Sequence, residues 1–310
     1  MHGFVWNIDP NIFVIGPIRL RYYGILLAIT LLVGYYFFQK QMKKYGYSEE
    51  VSMDFLFWGI LSTFIGARLA HCYFYETSHF INNPLEVLKI WKGGISSHGA
   101  TVGLFVSAIW FARSRKIPFA ILGDGIVFAA ALGAILFRIG NFMNSEIVGR
   151  VTAVPWGVHF MRYSDNGLYL RHPSQLYEAA GGLIVLLSLF AVEYYLKGKK
   201  RPGIFSGVFL IGYFTFRFFV EYFKEFQIDP NNTFPLTMGQ CLSIPFVIIG
   251  IYILIRSLQL KPEAIELMVV KEVPEKTESK KAAAKKKKAT EKQNKSRQQK
   301  KSTAKKGPLK

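Results

Sequence analysis

The stretch Phe137-Arg138-Ile139-Gly140-Asn141-Phe142-Met143-Asn144-Ser145-Glu146-Ile147-Val148-Gly149 closes an apolar run that begins near Phe119. A run of that length reads as a membrane-spanning helix. The arginine, two asparagines and glutamate at its end are expensive there, and mark either a functional site at the edge of the span or an anchor at the headgroups. At helical spacing Arg138, Asn141 and Ser145 fall at i, i+3 and i+7, on one face, while Gly133 and Gly140 admit a neighbouring helix or a lipid headgroup close to the backbone.

The same apolarity recurs on both sides of this stretch. The chain has 310 residues, of which 51% are hydrophobic and 15% aromatic, too apolar for an average soluble domain. Windows approaching the roughly 20 residues that cross a bilayer fall near 18–38, 52–75, 95–113, 119–142, 175–196, 203–223 and 237–257. They predict an all-α integral membrane protein with seven transmembrane helices. Met1 to Pro17 carries neither a basic n-region nor a small-residue cleavage site, so the first run is expected to be retained. Cys72 and Cys241 both lie in predicted spans and read as packing residues rather than a disulfide or metal framework.

Orientation follows from the short loops. Lys40, Lys43 and Lys44, then Arg113, Arg115 and Lys116, then Lys197, Lys199, Lys200 and Arg201 crowd loops one, three and five, which are therefore expected in the cytoplasm. The remaining loops are longer and sparser in positive charge, although Arg19 and Arg21 before the first span weaken the contrast. Seven spans then place the N-terminus outside and the C-terminus inside. Two domains are expected: a membrane catalytic domain over 1–260 and a disordered Lys-rich cytoplasmic tail over 261–310, whose Lys, Glu, Ser, Gln and Ala cannot bury enough surface to fold. The tail supplies much of the formal net charge of +19. No specific nucleic-acid partner is expected; the tail is read as lying on anionic lipid, each lysine near the surface contributing on the order of 1 kcal/mol. A ribosome or partner tether fits the same composition.

This topology sends the unusual polar groups to one leaflet. Tyr23 at the start of helix 1, Arg68 and His71 at the end of helix 2, His98 at the start of helix 3, Arg138 to Gly149, Arg171 to Glu178, then Tyr213, Arg217 and Glu221, and finally Thr237 to Gln240 all fall on the outer side. A transporter would instead place such groups near the midplane and show internal repeats, and a scaffold recruited by its tail would leave the outer cluster without a role. Asp54 and Asp124 sit near cytoplasmic helix beginnings, where a carboxylate favours the helix dipole, and read as caps. Pro173, Ser174, Gln175 and Glu178 suit a helix first turn. Arg217 and Glu221, spaced i, i+4, are also expected to pair on one helix face.

Arginine's planar fork suits phosphate, so Arg138 and Arg217 read as a clamp for a phospholipid headgroup. His98 is a candidate proton acceptor because imidazole titrates near neutrality. The residues alone stop at an enzyme or binder of lipid headgroups.

Four local words go further. Gly93-Gly94-Ile95-Ser96-Ser97-His98-Gly99, Arg138-x-Gly-Asn141-Phe-x-Asn144-x-Glu146-x-x-Gly149, His172-Pro-Ser-Gln-Leu-Tyr-Glu178 and Gly212-Tyr213-x-x-Phe-Arg217-x-x-x-Glu221 resemble, in order and in helix placement, the bacterial prolipoprotein diacylglyceryl transferases. The resemblance covers roughly residues 10 to 257 and leaves out the tail. Phe137 stands where a small glycine is expected before the arginine, and Ala100 where a second glycine usually follows His98-Gly99; both are expected to tighten the pocket locally.

The resemblance implies an enzyme of the bacterial cytoplasmic (inner) membrane, with its active site near the outer leaflet. Its partners would be phosphatidylglycerol and the signal peptide of a prolipoprotein with its lipobox cysteine. The diacylglyceryl group would pass to the cysteine thiol as a thioether, releasing glycerol 1-phosphate, the first step of lipoprotein maturation. Catalytic roles would fall to His98, Arg138 and Arg217, and substrate binding to Arg138, Asn141, Tyr23, Tyr213, Glu146, Gly149 and Glu221. Glu146 and Glu221 are expected to hold the arginines, since a carboxylate beside Arg⁺ stays ionised. The reaction calls for no metal and no cofactor.

Overall fold

The computed structural model describes residues 3–16, 18–89, 93–94, 96–225 and 236–269. From residue 270 onward the expected disordered tail lies outside the described residues.

Among the described residues six helices are long and apolar enough to cross a membrane, so the chain is an all-α, multi-pass membrane protein. These are α1 (Tyr22–Lys44), α2 (Glu49–Ala70), which continues through a π-helical turn at His71–Tyr75, α5 (Phe119–Met143), α6 (Ser174–Leu196), α7 (Ile204–Val220) and α8 (Met238–Gln259). Between α2 and α5 lie the short α3 (Thr77–Asn82) and α4 (Ser97–Ser114). The expected span at 95–113 corresponds to α4, which does not join the six. Its 18 residues cover about 27 Å at 1.5 Å per residue, short of the roughly 30 Å hydrocarbon layer, and Ser97, His98 and Arg113 dilute its apolarity.

Small residues set the packing. Along α2 and α4 the backbones nearly touch: a Cβ on Gly66 would lie 2.9 Å from the Gly103 Cα, and Gly99 meets Ala70. α1 runs along α5 with Gly34 against Ala129, and α7 runs along α8 with Gly207 against Leu254 and Gly250 against Leu210. One apolar cluster, including Phe38, Met42, Tyr45, Phe55 and Phe111, joins α1, α2, α4 and α5; another, including Phe128, Val185, Leu189, Phe205 and Phe209, joins α5, α6 and α7. Leu32, Phe57, Phe64, Val102, Ile184 and Ile248 point outward, an apolar exterior that suits lipid rather than water.

Two carboxylates expected as caps on their own helices have other partners. Asp124, fully buried in α5, accepts from Gly203 N–H (2.7 Å), Ser206 N–H (2.8 Å) and the Ser206 hydroxyl (2.8 Å), and so caps the N-terminus of α7. Asp54 pairs across α2 and α4 with Arg115. Both lie too far inside their helices to reach the free amides of their own first turns.

Outside the bundle, β1 (Phe4–Trp6) pairs in parallel with β4 (Val158–Phe160), and β2 (Asn11–Ile15) forms a hairpin with β3 (Ile18–Arg21). Trp6 packs on Phe142 and donates its indole N–H to Phe142 O at 3.0 Å, which ties this small cap to the end of α5. At the other end of the bundle a last helix, α9 (Pro262–Met268), follows α8, and Met268 and Val269 pack against the cluster around Phe38 and Phe111. The first compact unit runs to Val269, and those two side chains bury apolar surface within it.

Candidate active site

Because α5, α6, α7 and α8 alternate in direction, the end of α5, the start of α6, the end of α7 and the start of α8 share one end of the bundle. Arg138 stands there, a little over one turn before α5 stops. It forms an ion pair with Glu178 of α6, and its Nη1 donates to Asn141 Oδ1 at 3.2 Å. Asn141 Nδ2 in turn donates to Glu146 Oε2 at 3.3 Å, and Asn144 Nδ2 to Glu146 Oε1 at 3.3 Å. The turn that carries Glu146 is strained: Ser145 (φ 55°) and Ile147 (φ 54°) are both left-handed, a conformation that costs a non-glycine residue on the order of 1–3 kcal/mol and persists where the surroundings over-determine it. They do so here. Glu146 N–H donates to Asn141 O at 2.9 Å, the Gln175 amide donates to Glu146 O at 2.6 Å, and the Ser174 hydroxyl donates to Ile147 O at 3.1 Å.

Glu178 continues the chain of charges. Its Oε1 lies 3.3 Å from Lys224 Nζ, which lies 3.4 Å from Glu221 Oε2. The Glu178 and Lys224 side chains are only 8% and 7% exposed, burial that a charge tolerates only when paired. Arg138, Glu178, Lys224 and Glu221 thus balance as two cations and two anions. Glu221 also faces Gly239 at the start of α8, where a Cβ would lie 2.6 Å from the carboxyl carbon, and the amide end of that helix favours a negative group.

Two expected pairings are corrected. Glu221 holds Lys224, not Arg217, because the 3₁₀ turn Glu221–Phe223 that ends α7 brings Lys224 back over it. Glu146 holds the two asparagines, and Arg138 is held by Glu178 from the neighbouring helix. Half-buried Arg217 has no hydrogen-bond or ion-pair partner among the described residues.

The other candidates divide. Tyr23, in the first turn of α1, lays its ring against Gly140, where a Cβ would lie 2.6 Å from the ring, and stacks on Phe137 at 6.1 Å and 16°. Gly149 serves a close crossing of chains: its N–H donates to His172 O at 2.9 Å, and a Cβ there would lie 2.7 Å from Phe223 O. Tyr213 stacks on Phe209 at 5.4 Å and 5° within the apolar cluster of α5, α6 and α7. His98 is exposed in the first turn of α4, which Ser96 caps by accepting from Gly99 N–H at 3.3 Å; no hydrogen bond or ion pair among the described residues joins His98 to the Arg138 cluster.

Lys224 was read only as a loop cation, and Glu178 as a helix-start residue and the end of one of the four motifs, neither of them as a partner of the arginine. Charge balance was the signal available for both, since cations beside apolar spans require nearby carboxylates. Next to them, Arg171 is buried under Asp165 (2.7 Å), Glu225 and the Gly149 carbonyl (3.2 Å), and fastens the segment after α5 to the residues after α7. His172 lies against the Phe223 ring (5.3 Å) and the Tyr177 hydroxyl (3.1 Å); burial pushes its pKa below the ordinary imidazole value.

The chain matches known proteins along this whole region. The family model for prolipoprotein diacylglyceryl transferase matches residues 10–256. A phosphatidylglycerol–prolipoprotein diacylglyceryl transferase of Chloroherpeton thalassium is 37% identical over 255 residues, covering 82% of this chain and 94% of the relative. Proteins of the same name from Vibrio cholerae (41% over 256 residues, 81% of this chain and 92% of the relative) and Bacteroides fragilis (40% over 260 residues, 80% and 92%) are similar to the same extent. A match of this length and identity, carrying the Arg138 cluster within it, shows that the chain belongs to the prolipoprotein diacylglyceryl transferase family.

Proposed function

We propose that this chain is a phosphatidylglycerol–prolipoprotein diacylglyceryl transferase, and that the Arg138 cluster is where the lipid headgroup binds. The observation that carries the reading is Arg138 itself: a guanidinium fixed from one side by Glu178 and Asn141, with Arg217 on α7 having no ion-pair partner among the described residues. Two positive groups at a membrane edge suit a phosphodiester, and fixed charge aimed at a leaving phosphate is usually the largest catalytic term.

The cysteine sulfur, as thiolate, attacks the glyceryl CH₂ that carries the phosphate ester. A C–S bond forms as the C–O bond breaks, and glycerol 1-phosphate departs with the electron pair on its phosphate oxygen. Arg138 and Arg217 stabilise that developing charge, and Asn141 and Tyr23 orient the headgroup. An ordinary cysteine has a pKa near 8.5 and is only a few per cent ionised at neutral pH, so the thiol proton needs an acceptor. We assign it to His98, whose exposed imidazole has no competing partner among the described residues. Glu178, Lys224 and Glu221 hold the arginine and balance its charge, while Glu146 orients Asn141. The chemistry calls for no metal or cofactor.

The topology belongs to the same proposal. α4 serves as a seventh, short span; the N-terminus lies outside and the C-terminus in the cytoplasm; and the site opens near the outer leaflet of the inner membrane. Support comes from the lysines and arginines gathered at the end of the bundle opposite Arg138. The chain divides into a membrane unit and a Lys-rich tail that lies on anionic lipid. Purified protein with phosphatidylglycerol and a lipobox peptide tests the activity: a diacylglyceryl mass gain on the cysteine is expected, and an unmodified peptide would overturn the reading.

A further inference from the structure

A second built polar site lies at the opposite end of the bundle. The last turn of α1, the last turn of α6, the α6–α7 loop and the first turn of α7 enclose a cavity of about 180 Å³, lined in part by Gln41, Lys44, Glu193, Lys199, Lys200 and Phe205. A dry cavity of about 150 Å³ is enough to hold benzene, so this one has room for a phosphate carrying a small polyol.

Its lining is charged in a specific way. Glu193 is already saturated: Lys44 Nζ lies 2.5 Å from it, Lys40 Nζ 3.6 Å, and the Gln41 amide donates to it at 3.4 Å. Lys199 and Lys200 have no ion-pair partner among the described residues, and the cavity wall therefore carries uncompensated positive charge. Gln41 is only 2% exposed and its Oε1 has no hydrogen-bond partner among the described residues. A buried acceptor in that state calls for a donor from whatever occupies the cavity. The site thus offers two cations for an anion and one acceptor for a hydroxyl.

The depth of the site selects the source of such a ligand. Tyr194 and Tyr195, the residues after Glu193, are both exposed in the last turn of α6, and exposed tyrosines at the end of an apolar helix sit at headgroup level. We infer that this cavity binds the headgroup of an anionic, hydroxyl-bearing phospholipid from the leaflet at the Lys-rich end, with Lys199 and Lys200 on the phosphate and Gln41 Oε1 accepting from a headgroup hydroxyl. This site is separate from the Arg138 cluster and does not depend on the reaction assigned there.

Native mass spectrometry of the full-length protein in detergent tests the inference, titrating phosphatidylglycerol, phosphatidylmethanol (anionic, no hydroxyl) or inorganic phosphate into wild type, K199Q/K200Q and Q41L. Wild type should take up one more phosphatidylglycerol than K199Q/K200Q, with that last lipid bound roughly 25-fold more tightly, about fivefold for each lysine. It should prefer phosphatidylglycerol to phosphatidylmethanol at that site, and Q41L should lose the preference while keeping the lipid. A thermal melt confirms that each variant is folded; if Q41L is not, Q41M takes its place. Equal lipid uptake and affinity in wild type and folded K199Q/K200Q would overturn the site. Displacement of the lipid by millimolar inorganic phosphate would overturn the lipid as its source, and no preference between the two lipids would overturn the role of Gln41.

Discussion

Glu178 holds Arg138 through one carboxylate oxygen and Lys224 through the other, so a single buried anion serves two cations from different segments of the chain. Removing its charge takes the carboxylate from Arg138 and leaves Lys224 with Glu221 alone. Breaking a buried pair costs about 3–5 kcal/mol, so Glu178→Gln should lower the melting temperature clearly and reduce kcat/KM together with it. Because the residues act as one network, the Glu178→Gln, Lys224→Gln double variant should lose less stability than the sum of the single variants. Strictly additive losses in thermal unfolding would show that the four charges are not coupled.

The topology can be read on intact cells. Asn166 stands exposed at a left-handed turn (φ 52°) at the Arg138 end, and Lys199 at the opposite end. A cysteine placed at 166 should react with an impermeant thiol reagent, and one placed at 199 should react only after permeabilisation. The opposite pattern would invert the proposed orientation.

Much of this arrangement was legible before the structure. The apolar windows match helices α1, α2, α5, α6, α7 and α8 because a bilayer imposes a length and composition that a sequence cannot hide. Arg138 and Asn141, spaced i, i+3 on one helix, do hydrogen-bond. Pairings between helices were not legible: local spacing offered Glu221 to Arg217, whereas the fold delivers Glu178 to Arg138 and Lys224 to Glu221. Asp124 teaches the same lesson, since its position in α5 says nothing about the α7 amides it caps. Helix α9 is short and polar enough to resemble the tail in composition, yet Met268 and Val269 beside it pack on the cluster around Phe38 and Phe111.

That boundary yields a truncation test. A chain ending after Val269 keeps Met268 and Val269 against the cluster around Phe38 and Phe111, so its melting temperature should match that of the full chain and its turnover should stay within a few-fold. Ending after Lys261 removes those contacts and should cost about 1–3 kcal/mol, the value of burying one or two apolar side chains. Equal melting temperatures for the two truncations would show that α9 contributes nothing.

Acid sensitivity follows from His172, whose pKa burial lowers. Between its folded pKa and the ordinary value near 6.5, the unfolded chain binds a proton that the folded protein does not. Stability from this group is therefore complete above about pH 6.5 and is lost as pH falls through the folded pKa. Thermal unfolding between pH 7.5 and 5 (a span of roughly one unit or more to either side of pH 6.5) should show a decline that His172→Asn reduces. An unchanged slope would place the acid-sensitive group elsewhere.

Arg138 and His98 are assigned different tasks, and substitution separates them. Lysine keeps the charge of Arg138 but cannot reach Glu178 and Asn141 at once through a planar fork, so Arg138→Lys should lose both lipid affinity and turnover. His98 stands apart from that cluster, so His98→Gln should bind phosphatidylglycerol normally. Its turnover should fall by roughly 10² to 10⁴, the usual contribution of a general base. The loss should shrink as pH rises toward the thiol's own pKa near 8.5, where the cysteine ionises without help. Normal turnover of His98→Gln at neutral pH would remove His98 as the base and leave thiolate formation to the positive field of Arg138 and Arg217.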